Sequence, residues 1–108
     1  YTHWGEDTHQ DHRAIARAVV PAARRVQNLL YFEGLSSQDF NPTVFVNIGK
    51  VLNQKLGALE AHASQIEKTN IEHLNIVDIS RSAAHFRGIQ GRVTCAEGFS
   101  ALRHFIDF

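Results

Sequence analysis

The spacing of apolar residues predicts a first helix near the start of the chain. Its apolar positions recur every three or four residues, as expected for one face of a helix: Ile15, Val19, Ala22, Val26 and Leu29. Thr8 followed by Asp11 is a variant of the capping box that begins many helices. Pro21 lacks the N–H that an interior helical residue donates, so we expect it to kink or split the helix.

Two further helices are predicted in the second half of the chain. Asn47 is a candidate N-cap, and an apolar stripe follows it over residues 48–66. A second capping-box pattern, Thr69 with Glu72, indicates the start of the third helix. Because glycine commonly ends helices, we expect this helix to end at residue 88 or 91.

Short apolar runs between these segments predict two or three short strands. Residues 30–33 form the first, which Gly34 ends, and residues 43–46 form the second. Residues 92–96 are a third candidate, and the apolar residues within 99–105 suggest a last helical turn or two. The fold class is therefore α/β and helix-rich, since strands this short need partners or helix cover.

Composition narrows the classes of partner. The chain has 108 residues, which suits one domain or part of one, and eleven basic residues balance eleven acidic ones. This balance argues against binding to nucleic acid or to an anionic membrane, which favour a basic excess. Its apolar runs are too short to cross a membrane. The single cysteine, Cys95, fits a reducing, cytoplasmic setting.

Four motifs in order resemble one known family. They are Thr-His-Gln-Asp-His-Arg at 8–13, a loop, strand and helix start at 40–48, a Lys…His-x-Ser-Gln helix at 55–65, and an Arg-Gly…Ala-Glu-x-Phe segment at 86–99. Over about residues 2–105 the chain is therefore similar to the PIG-L/LmbE-like zinc-dependent N-deacetylases. That resemblance implies a Rossmann-like α/β fold, a zinc ion, and a substrate that contains an N-acetylated amino sugar.

The resemblance also assigns roles to residues of the first motif. His12 would be a zinc ligand, and His9 would stabilise the oxyanion or protonate the leaving amine, with Asp11 orienting it. His9 and His12 are three apart and share a helix face. Asp7 and Glu97 are possible partners of the residues that contact zinc or substrate. The residues alone leave open a solvated helix cap for the histidine pair and a surface charge for Glu97.

The chain departs from this family most clearly at the family's first metal motif. The family's first strand ends in a His-Pro-Asp-Asp motif that supplies two zinc ligands and the general base, and no such segment occurs here. The chain begins with Tyr1 and contains no methionine. We therefore expect a partial domain over residues 1–108, inactive alone, with an N-terminal half encoded upstream. The alternatives are a non-catalytic remnant that self-associates, for example as a homodimer, and a repurposed ligand-binding module.

Overall fold

The computed structural model describes residues 1–62 and 71–108. Within them the chain forms three helices and a four-stranded mixed sheet, which confirms the α/β class. In chain order the elements are β1 (Thr2–His3), α1 (Gln10–Ala22), β2 (Leu29–Phe32), β3 (Val44–Asn47), α2 (Leu52–Glu60), α3 (Ile76–Gly91) and β4 (Ala96–Arg103). No described helix is long and apolar enough to cross a membrane.

The strands of the sheet follow the order β1-β2-β4-β3. β1 is parallel to β2 and is joined to it through α1, because a parallel pair needs a crossover connection. In the register of this pair, His3 lies opposite Phe32. β4 is antiparallel to β2, with Phe99 opposite Phe32, so β2 is flanked on both sides.

The chain divides into two compact units, residues 1–44 with 98–108 and residues 45–97. The buried apolar residues of the first unit include Ala16, Ala23, Leu29, Leu30 and Phe99. The core of the second unit contains Ile48, Leu52, Leu56, Val77, Ala84 and Cys95. α1 packs against β1 in the first unit, and α2 packs against α3 in the second.

The start of α1 differs from the prediction by one residue. His9 is the N-cap, and its Nδ1 atom accepts a hydrogen bond from the backbone N–H of Asp11 at 3.2 Å. The hydroxyl of Thr8 instead donates to the carbonyl of Ser36. The helix runs through Pro21 and ends at Ala22, so the proline lies in the last turn and does not split the helix.

The two later helices also begin after their predicted caps. The amide oxygen of Asn47 accepts from the N–H of Gly49 at 3.0 Å, so Asn47 stabilises a turn before α2. α2 ends at Glu60, and the last part of its predicted stripe, like Thr69, lies outside the described residues. Asn75 caps α3 through the N–H of Asp78. α3 ends at Gly91, one of the two predicted glycines.

The largest correction concerns the end of the chain. The predicted strand over 92–96 is wrong, since β4 begins only at Ala96. The helical turn predicted within 99–105 is also wrong, because residues up to Arg103 belong to β4. Apolar residues spaced by three occur here by coincidence, whereas pairing with β2 decides the conformation.

Candidate functional site

Three histidine rings of the first unit form a stack beside the start of α1. His3 ends β1, His9 caps α1, and His12 lies in its first turn. The ring centroids of His3 and His12 are 3.9 Å apart with 14° between the planes, and those of His9 and His12 are 4.5 Å apart with 16°. Two rings cannot occupy one face of an imidazole at these distances, so His12 lies between the other two. We refer to these rings as the histidine stack.

The side chain of Asp7 forms a hydrogen bond with the ring of His12. The Asp7 side chain is fully buried, and its Oδ2 atom lies 3.1 Å from His12 Nδ1. The backbone N–H of His9 donates to the other carboxylate oxygen at 2.8 Å, and the Ser37 hydroxyl donates to Oδ2 at 3.2 Å. The guanidinium of Arg13 donates to the backbone carbonyl of Asp7. Asp7 thus accepts bonds from the helix start and from a loop 30 residues away.

These hydrogen bonds decide the charge of Asp7. Burial by itself raises the pKa of a carboxyl group, but the hydrogen bonds that Asp7 accepts, led by the one from the backbone N–H of His9, outweigh it and lower the pKa of Asp7 from 3.8 to about 2. Asp7 is therefore a carboxylate at neutral pH. An ionised carboxylate is only an acceptor, so His12 Nδ1 must carry a proton and donate it.

The tautomer of His12 follows from this bond. With the proton on Nδ1, a neutral imidazole has its lone pair on Nε2. A carboxylate that accepts the N–H of one ring nitrogen is the usual arrangement behind a histidine that ligates a metal through the other nitrogen. The structure therefore supports Asp7 as the orienting partner of His12, which the sequence named as one possibility.

His9 is oriented differently from the prediction. In the neutral ring, Nδ1 accepts the backbone N–H of Asp11, so it cannot donate to the Asp11 carboxylate, whose nearer oxygen is 4.0 Å away. The proton of neutral His9 is then on Nε2. Asp11 thus orients His9 through its backbone, and its exposed side chain adds an ion pair when His9 is charged.

His3 closes the other side of the stack. Burial is the main cause that lowers the pKa of His3 below 6.5, the charges of His12 and His9 lower it further, and Asp7 opposes them. His3 is therefore a neutral ring at pH 7. The His3 ring also contacts that of Phe32, with ring centroids 4.6 Å apart and 57° between the planes.

Glu97 lies in the second unit, near the start of β4. Its carboxylate forms an ion pair with Lys55 of α2 at 2.6 Å, and both side chains are about one-third exposed. The partner of Glu97 is therefore a lysine of its own unit. Glu97 therefore takes part in an ion pair between the start of β4 and α2.

The described residues do not by themselves present a complete metal site. No group of three or more His, Cys, Asp or Glu side chains within residues 1–62 and 71–108 is arranged to hold a metal ion. The three rings of the histidine stack do not form such a group, because nitrogen lone pairs lie in the ring planes and nearly parallel planes do not converge on one point. His12 fits one position of a zinc centre, while His3 and His9 do not complete it.

Two residues of the site were not predicted from the sequence. Ser37 meets Asp7 only because the 34–38 loop pairs with the segment before α1, through an isolated bridge between Asp7 and Ser37. His3 lies outside the motif at residues 8–13, and its spacing from His12 follows no helical or strand period. The contact of Ser37 with Asp7 and the contact of His3 with His12 both depend on tertiary structure.

Comparison with known proteins adds no identification. No protein-family model matches the chain, and no curated protein matches it significantly.

Proposed function

We propose that this chain is the C-terminal region of a zinc-dependent hydrolase of the PIG-L/LmbE-like type, which removes an N-acetyl group from an amino-sugar-containing substrate. The observation that carries the proposal is the partly buried hydrogen bond from His12 Nδ1 to the Asp7 carboxylate, at 3.1 Å. It leaves Nε2 of His12 as the ligating atom, in the residue that the family motif places at the metal. The Rossmann-like form of the α/β fold is part of the same proposal.

Zinc would be held by His12 together with ligands from outside the described residues. When bound, zinc supplies Lewis acidity that activates water and polarises the amide carbonyl. A catalytic zinc usually has three protein ligands. On this proposal, the two others and the general base come from a His-Pro-Asp-Asp segment encoded upstream of Tyr1.

His9 would act on the substrate carbonyl or the leaving group. Because its Nδ1 accepts the N–H of Asp11, its Nε2–H is the donor. A fixed N–H donor stabilises negative charge that develops on the carbonyl oxygen during attack. Charged His9, paired with the Asp11 carboxylate, would instead protonate the leaving amine. The side chain of His9 is half exposed, which gives a substrate access to it.

The test compares zinc content and deacetylation in two histidine variants of the protein made from its full reading frame. We expect His12→Ala to lower zinc content at least tenfold, since it removes a ligand, and to abolish deacetylation of an N-acetylglucosamine-containing probe. His104→Ala changes an exposed histidine near the end of the chain and serves as the matched control.

Two results would contradict the proposal. Equal zinc content in the His12 and His104 variants would remove His12 as a ligand. A reading frame without a His-Pro-Asp-Asp segment would favour the alternative, a non-catalytic remnant that self-associates, and size measurement in solution would then test whether it is a homodimer.

A further inference from the structure

The hydrogen bond to Asp7 leaves one degree of freedom of the His12 ring weakly restrained. It selects which ring edge faces the carboxylate, because only Nδ1 donates there. Rotation of an imidazole about its Cβ–Cγ bond has broad minima, so a single bond at one edge does not fix the ring plane tightly. A functional side chain needs its orientation held to within about 10–20° by its surroundings. Flat contacts on the ring faces supply such a restraint.

The two residues that cover the faces of the His12 ring, His9 and His3, are not held equally firmly by their surroundings. The side chain of His9 is 53 % exposed, and it lies at the helix cap. His3 belongs to β1, which is hydrogen-bonded to β2, and its ring also contacts that of Phe32 on the neighbouring strand. The His3 ring is also nearer to His12, at 3.9 Å against 4.5 Å. The rigid face of the stack is therefore the one formed by His3.

We propose that His3 is a positioning residue that fixes the plane of the His12 ring, so that Asp7 sets the tautomer and His3 sets the direction of Nε2. His3 acts through the flat face of its ring and not as a ligand, since the nearly parallel rings of His3 and His12 do not converge. The inference rests on the proposed function for its purpose, which is to aim Nε2 at a metal ion. The restraint itself is a property of the metal-free chain.

The test measures how fast the His12 Nδ1 proton exchanges with water in the metal-free 108-residue chain, by nuclear magnetic resonance of ¹⁵N-labelled protein. Loss of the flat contact should loosen the bond to Asp7. We expect exchange to be about three to ten times faster in His3→Ala, the range that corresponds to a stacked aromatic pair. His3→Leu fills similar space without a flat face and should behave in the same way. His3→Phe retains the face and should exchange at the wild-type rate.

The controls separate positioning from a loss of folding. Backbone amide exchange in β2 should be unchanged in every variant whose His12 exchange rate is interpreted. If His3→Ala fails to fold, the exchange rates of His3→Leu and His3→Phe are compared instead. Wild-type exchange rates in the Ala and Leu variants would overturn the proposal. Equal acceleration in the Leu and Phe variants would also overturn it, because the flat face would then be irrelevant.

Zinc binding provides a second and separate readout. In the protein from the full reading frame, we expect zinc affinity to fall about tenfold in His3→Ala and to remain near wild type in His3→Phe, as for other groups that orient a ligand. If His12→Ala leaves zinc content unchanged, the proposed function fails. The proton-exchange experiment would still test the positioning role of His3, because it is carried out without zinc.

Discussion

Replacing Asp7 by asparagine tests the electrostatic description of the site without altering its shape. The Asp7 carboxylate is fully buried and accepts hydrogen bonds from His9, Ser37 and His12. An asparagine of the same size retains one oxygen acceptor but replaces the other oxygen by an NH₂ donor. That donor would face donors that now bind Oδ2, so the substitution should destabilise the fold at neutral pH.

The size of the effect follows from the pKa of Asp7. The pKa falls from 3.8 to about 2 on folding, and each pKa unit corresponds to about 1.4 kcal/mol, so the ionised carboxylate adds about 2 kcal/mol to the free energy of unfolding. Because the folded-state pKa lies below the unfolded one, this contribution is complete above pH 3.8. It is lost as the pH falls from 3.8 through about 2.

The assay is urea unfolding followed by circular dichroism between about pH 5 and about pH 2.5, comparing wild type with Asp7→Asn. We expect the wild type to be more stable by about 2 kcal/mol at the upper end, with the difference shrinking as the pH falls. Asp107→Asn, at an exposed position, is the matched control and should differ little from wild type. A difference between wild type and Asp7→Asn that stays constant over this range would refute the assignment of the low pKa to Asp7.

Three further substitutions test the packing and capping of the second unit, each by the same unfolding assay. At Gly88 an added Cβ would lie 2.6 Å from the carbonyl oxygen of Thr94, so Gly88→Ala should cost about 2–3 kcal/mol. Gly57→Ala, where a Cβ would meet no described atom within 4 Å, should instead stabilise α2 by up to about 1 kcal/mol, and an equal loss at both glycines would contradict this reasoning. Asn75→Ala removes the side chain that accepts from Asp78 at the start of α3 and should cost about 1 kcal/mol, whereas an unchanged stability would show that the cap is dispensable.

The parts of the fold that the sequence predicts are those with local causes. The strands expected at 30–33 and 43–46 are each displaced by one residue from β2 and β3. β1 could not be predicted, because two residues define no period and the strand exists only through its pairing with β2. The end of the chain was mistaken for a helix for the same reason, since β4 is specified by its partner strand.

The candidate site divides in a similar way. His9 and His12 share a short motif, and Asp7 precedes them by a few residues, so local reasoning found all three. The contact with Ser37 depends on the path of a loop, and the stack with His3 depends on β1 lying beside α1. Sequence alone also could not decide which nitrogen of each histidine carries the proton. That decision requires the positions of Asp7 and of the Asp11 backbone.

The carboxylate of Asp7 is informative about the role of His12. The segment before α1 and the 34–38 loop are already joined by backbone hydrogen bonds, from Thr8 to Ser36 and from Gln38 to Glu6. A neutral acceptor at position 7 would serve that connection without the cost of burying a charge. What a carboxylate adds is a strong acceptor for His12 Nδ1–H, which fixes the tautomer and makes Nε2 more basic. The buried charge therefore does more than join the loop to the helix start, because it also fixes which nitrogen of His12 carries the proton.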